Sequence, residues 1–219
     1  MRINIDINVN VGKVVRSFVL VDLALLGGWG LIDPIFSIYI IKNVAGATLV
    51  TIGTAATIYW LLKSALQIPL SKFLDRTPGE KDDFYALLAS LFVLAVTAFL
   101  FNFIHTTWQL YLVEGVRAIG FALYSASWPA IFSRHLDKER VSFDWALDST
   151  SVGIGAATGG FFGGILAQHF GFQIVFTLGA VLSLISAFIL LLTPEFALPR
   201  RTKNIAEPLR DHVSTPAGK

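Results

Sequence analysis

Six apolar runs, each long enough to cross a bilayer, leave this chain little choice of fold class. About 20 mostly apolar residues cover about 30 Å of hydrocarbon. Such runs fall at 17–41, 48–70, 84–104, 109–132, 143–168 and 172–192. In lipid each backbone N–H and C=O needs an internal partner, so every run is expected as a helix. Charged residues make up 15% of the chain, against roughly a quarter in soluble domains. A single water-soluble helical core is therefore set aside. The first run is too long for a secretory signal and no small-residue cleavage site follows a short apolar core, so it is read as an anchor. With no cysteine in the chain, disulfides and thiolate metal sites are excluded.

Loop lengths and charge fix the expected direction. The spacers at 42–47, 105–108 and 169–171 are short, whereas 71–83 and 133–142 are longer and charged. Short and long loops alternate, so they lie on opposite sides. Arg2, Lys13 and Arg16 share the long-loop side with Lys72, Arg76, Lys81, Arg134, Lys138 and Arg140. The tail adds Arg200, Arg201, Lys203, Arg210 and Lys219, while Lys42 stands alone on the other side. Lysine and arginine collect on the cytoplasmic face. The expectation is a cytoplasmic segment 1–16, a six-helix domain 17–192 and a cytoplasmic tail 193–219 in the inner membrane. The basic tail suits anionic lipid headgroups, although a solvated tail that aids orientation is the simpler reading.

Three segments carry a family pattern. After the second run stands Ser71-Lys-Phe-Leu-Asp75-Arg76-Thr-Pro-Gly79-Glu-Lys81. The fourth run holds Arg117-Ala-Ile-Gly120, then Ser127-Trp-Pro129 and Asp137-Lys-Glu-Arg140. The fifth reads Gly155-Ala-Ala-Thr-Gly159-Gly160-Phe-Phe-Gly163-Gly164. Together these resemble the major facilitator superfamily: its G-x-x-x-D-R-x-G-R-R loop, its span 4 arginine–glycine element, and its G-x-x-x-G-P-x-x-G-G span. Gly160 stands where that last pattern has proline.

The resemblance implies one half of a major facilitator fold, a six-helix bundle of two inverted three-helix repeats. The family normally has two such halves, so a homodimer is the expected way to restore twelve helices. Asp75 and Arg76 would then form a gating loop, with Asp75 aimed at the start of the partner's fifth span, near 141–144. Small residues permit close backbone approach between helices in lipid. Gly155, Gly159, Gly160, Gly163 and Gly164 are expected to pack against the partner's second span, with packing inside one subunit as the alternative.

Asp22, Asp33, Lys63, Glu114, Arg117 and Asp148 fall within the runs. Each costs about 2.5–3.5 kcal/mol at the bilayer centre on insertion scales, and such groups usually face a cavity or a partner. Asp33 lies within about 20° of Asp22 around a helix, with Trp29 between them on that face. Glu114 and Arg117 reach the depth of Asp33, giving an outer cluster; Phe121, Tyr124 and Trp128 continue the Arg117 face. Lys63 and Asp148 are expected as an inner ion pair between subunits, with Asp22 as the competing partner of Lys63. Desolvation favours a protonated carboxyl and a nearby guanidinium the ionised one. Alternation between those settings would let Asp33 or Glu114 carry a proton.

The expected function is secondary transport of a small organic solute by alternating access, coupled to protons, with a lean to drug or metabolite antiport. A proton symporter of a sugar or organic acid is an alternative, and a non-transporting subunit or half of a heteromeric carrier is another. His105, His135, His169 and His212 show no metal-ligand spacing, and no nucleophile–base pair or phosphate loop appears. No enzyme, cofactor or nucleic-acid partner is expected.

Overall fold

The computed structural model describes residues 12–76 and 79–193. The basic tail at Arg200, Arg201 and Lys203 lies outside the described residues. Six helices follow one another: α1 (Lys13–Asn43), α2 (Leu49–Leu74), α3 (Lys81–Leu100), α4 (Thr107–His135), α5 (Val141–Phe170) and α6 (Phe172–Leu192). Five are long and apolar enough to cross a membrane. The sixth, α4, has the length for it, and Glu114 and Arg117 in its middle lower its hydropathy.

Local chemistry sets the helix ends. Thr48 and Thr51 cap α2 reciprocally, side chain to backbone N–H in both directions. At the start of α4, Gln109 Oε1 accepts from the backbone N–H groups of His105 and Thr106, at 2.9 and 3.1 Å. A single residue, Gly171, separates α5 from α6. It sits at φ +84°, in the left-handed region that glycine enters without a Cβ clash. The chain after α3 tightens into a one-turn 3₁₀ segment, Phe101–Phe103. Tyr39 Oη donates toward the carbonyls of Phe101 and Ile104, at 2.5 and 3.0 Å, satisfying groups that a helix end leaves unpaired.

The helices divide into an interior set and a flanking pair. α1, α3, α4 and α6 supply nearly all of the buried side chains, with Phe36, Tyr39, Phe101 and Phe176 packed ring against ring, tilted or edge to face, near the end of α3. Ser186 Oγ donates to the Val21 carbonyl at 2.6 Å, a direct tie between α6 and α1. α2 buries just Thr51, Ala55, Tyr59 and Leu74, and leans on α4. α5 buries Asp144, Asp148, Gly155, Gly159 and Gly163, and leans on α1.

This α1–α5 contact corrects the expected partner of the span 5 glycines. They pack inside their own chain, on α1. A Cβ built at Gly159 would stand 2.7 Å from the Gly27 carbonyl oxygen, and one at Gly155 would stand 3.4 Å from the Gly27 Cα. Gly163 meets Leu31 backbone, and Gly160 faces the Pro34 ring. Gly164 faces open space. The reason is physical: α1 carries its own small residues, Gly27 and Gly30, so two bare backbones meet, and no hydrophobic gain in lipid is needed to hold them.

Gly159→Leu should therefore force α5 off α1 and cost about 1–3 kcal/mol, the usual range for overpacking. Gly164→Ala, at an open position, should leave stability unchanged or slightly raised. Thermal unfolding of the detergent-solubilised variants measures both, and equal losses at the two sites would contradict the glycine contact.

Candidate functional site

Between α1, α2, α4 and α5 lies a cavity of about 670 Å³. Its walls are largely aromatic and aliphatic, with four ionisable side chains set into them: Asp33 from α1, Lys63 from α2, and Glu114 and Arg117 from α4. The outer cluster expected from helix depth is thus brought together around one cavity. Pro34 sits in the same wall. A proline inside a helix cannot donate to the carbonyl four residues back. It therefore frees the Gly30 carbonyl beside the cavity.

Arg117 organises this wall. Its guanidinium bonds Asp33 at 2.5 Å and stands 3.5 Å from Glu114, one helical turn away. The rings of Trp29 and Tyr59 lie 4.5 and 4.6 Å from its centre, and Phe121 lies at 5.7 Å. Two carboxylates and two ring faces replace the water a guanidinium would otherwise hold. The two acids differ sharply: Glu114 is 2% exposed and Asp33 is 53% exposed, open to the cavity.

A second group of polar side chains lies closer to the end of the bundle that holds the start of α1 and the end of α4. Tyr124, whose ring lines the cavity, donates its hydroxyl to Asp22, which is buried between α1 and α4. Asp148 on α5 is buried as well, close enough for its charge to act on Asp22. Trp128 does not line the cavity. It stacks on Tyr124 and Phe132 in the packed interior.

Within the chain Lys63 and Asp148 do not pair; Asp148 is buried on α5, 6% exposed, with its Oδ1 unpartnered. Lys63 does not turn to Asp22 either, because the Tyr124 hydroxyl occupies that carboxylate. Instead the Lys63 ammonium rests over Trp60 and Phe121, at 5.1 and 6.0 Å.

Asp75 and Arg76 close the last turn of α2, exposed, with the Asp75 N–H donating to the Ser71 carbonyl at 2.9 Å. The interhelical tie that sequence reasoning missed is on the next helices, at this same end of the bundle. Arg134 at the end of α4 bonds Asp83 at the start of α3, and Asp83 is 2% exposed. His135 stands 3.7 Å from Glu80 beside them. Asp144, in the first turn of α5, accepts the Asp137 N–H at 3.0 Å and closes the α4–α5 loop. Asp83 and Arg134 each abut the end of an apolar run on the same side, a signal that was legible. Among the described residues no group of histidines, cysteines or carboxylates is arranged to hold a metal.

The model of the Major Facilitator Superfamily matches residues 19–216. The chain belongs to the major facilitator superfamily. It is 26% identical over 162 residues to an uncharacterized MFS-type transporter of Methanocaldococcus jannaschii, an overlap of 74% of this chain and 40% of that protein. Among solved structures, the POT family transporter PepTSo, crystallised in meso, superposes with a TM-score of 0.67 at 11% identity. That match covers 87% of this chain and 39% of PepTSo, and shows the shared fold. The chain spans about two fifths of the length of each relative. Membership makes this chain a multi-pass membrane protein of a superfamily of transporters rather than of enzymes.

Tyr124→Phe removes the hydroxyl from the buried Asp22 carboxyl, and a buried polar group left unsatisfied costs about 1–3 kcal/mol. The variant should melt lower than the native protein in detergent. An unchanged melting temperature would show that Asp22 takes another donor.

Proposed function

We propose that this chain forms one half of an alternating-access carrier for a small organic solute, coupled to protons and completed by a second copy of itself. The observation that carries the reading is Arg117, held between an exposed and a buried carboxylate in the wall of a cavity large enough for a solute. Such a cluster has two stable states: both acids on the guanidinium, or one protonated and released. A cavity that opens first to one side and then to the other turns that choice into coupling.

The packing of the helices supports the inverted-repeat reading. Exchanging α1 with α4, α2 with α5 and α3 with α6 turns the α1–α5 contact into α4–α2, and α1–α6 into α4–α3. All four are major contacts, and α3–α6 maps onto itself. Halves built this way meet in the family across a pseudo-two-fold along the membrane normal. The homodimer is supported by α2 and α5, whose outer faces present Trp60, Leu61, Phe161 and Phe162. The dimer uses those faces rather than the buried glycines. Both termini are cytoplasmic, and the membrane is the inner one. Antiport of a drug-like or metabolic solute is the preferred coupling. Symport of an organic acid is the second reading, favoured by Lys63, a cavity cation with no carboxylate at ion-pair distance among the described residues.

Asp33→Asn tests the carrier and its coupling. The variant should fold and bind solute, yet lose transport driven by an imposed pH gradient in liposomes. Undiminished proton-driven flux would eliminate Asp33 as the carrier. Purified native protein that moves no solute would favour a non-transporting subunit, and its particle mass in detergent decides between one copy and two.

A further inference from the structure

The four charges of the cavity wall are unequally matched. Arg117 has Asp33 and Glu114 against it and Trp29 and Tyr59 over it, with its Nε–H alone left without an acceptor. Lys63 differs. Among the described residues no carboxylate lies within ion-pair distance of it, and its ammonium has ring faces alone for company. The like charge of Arg117 acts on it as well. Lys63 is eleven residues from Leu74, about 16 Å along the helix at 1.5 Å per residue. A lysine stem cannot carry its head from there to the headgroups.

We infer that the cavity takes an amphipathic monoanion, one carboxylate against Lys63 and an apolar body against the rings of Trp29, Phe36, Tyr59 and Trp60. The inference rests on the carrier reading for the role of this cavity. Each part follows from the wall. A single ammonium balances a single negative charge. A phosphate would call for several donors, such as a helix N-terminus or a free arginine fork. Here the helices pass the cavity mid-length, with their N–H groups spent, and the one guanidinium is taken. A cationic solute would have to share the Asp33 carboxylate with Arg117, in a cavity wall that already carries Lys63. The remainder of the wall is aromatic and aliphatic, which suits a flat or branched hydrocarbon body better than a polyhydroxylated one.

The test uses three molecules with one body and three charges: 3-phenylpropionate, 3-phenylpropionamide and 3-phenylpropylamine. Each is titrated calorimetrically into the full chain in nanodiscs, as the native protein, Lys63→Gln and Lys63→Arg. The carboxylate should bind roughly tenfold or more tighter than the amide, as a desolvated charge pair contributes, and the amine no tighter than the amide. Lys63→Gln should erase the difference while leaving amide affinity in place, and Lys63→Arg should restore it. A preference for the amine or the amide would overturn the inference. So would a carboxylate preference that survives in Lys63→Gln, or no binding by any of the three to protein that melts cooperatively. Carboxylate binding without liposome flux would end the carrier reading and keep this one. Proton-driven flux confined to cations would do the reverse.

Discussion

Arg117 can occupy the middle of a membrane helix because its own chain surrounds it with charge and ring faces. Desolvating a guanidinium without partners is far costlier than any packing gain nearby. Asp33 arrives from α1, Glu114 from one turn back on α4, Trp29 from α1 and Tyr59 from α2. These contacts set the rotation of three helices about their axes. Much else follows from that rotation. Turning α1 to offer Asp33 and Trp29 inward leaves Gly27 and Gly30 facing α5, and turning α4 to offer Arg117 puts Tyr124 on Asp22.

The division of labour among the helices is the second consequence. α1, α3, α4 and α6 bury large side chains against one another and form a stiff block. α2 and α5 each attach to one member of that block, through Tyr59 and Ala55 in one case and through bare glycine backbone in the other. The helix ends at the α2–α3 and α4–α5 loops are tied differently, by Arg134 to Asp83 and by Asp144 to the Asp137 N–H.

Much of this was legible in the chain, and the unread part has a common cause. Run length and loop charge revealed the spans, because the bilayer makes a 20-residue apolar segment almost unambiguous. Helical spacing and depth brought Asp33, Glu114 and Arg117 together, because on a straight helix both are simple functions of residue number. Which helix each face meets was harder. The span 5 glycines were assigned to a neighbouring subunit when Gly27 and Gly30 offered an equal surface within the chain. Spacing offers Lys63 a partner's Asp148 or its own chain's Asp22, and within the chain its ammonium lies over Trp60 and Phe121 instead. Trp128 follows Arg117 at helical spacing, yet eleven residues further along α4 its ring has passed out of the cavity into the packed interior. Spacing specifies a face; it does not specify the neighbour.

The central claim is that the charged wall borders a wet passage and is not a sealed structural core. Because the chain has no cysteine, single cysteines at Ser37 and Ala56, both in the cavity wall, report on it directly. Phe188, on the outer face of α6, serves as the lipid-facing control. With a membrane-impermeant maleimide applied to sealed vesicles, the account predicts labelling of Ser37→Cys and Ala56→Cys, slowed by bound solute, and none of Phe188→Cys. Cavity cysteines that stay unlabelled from both sides of the membrane would contradict it.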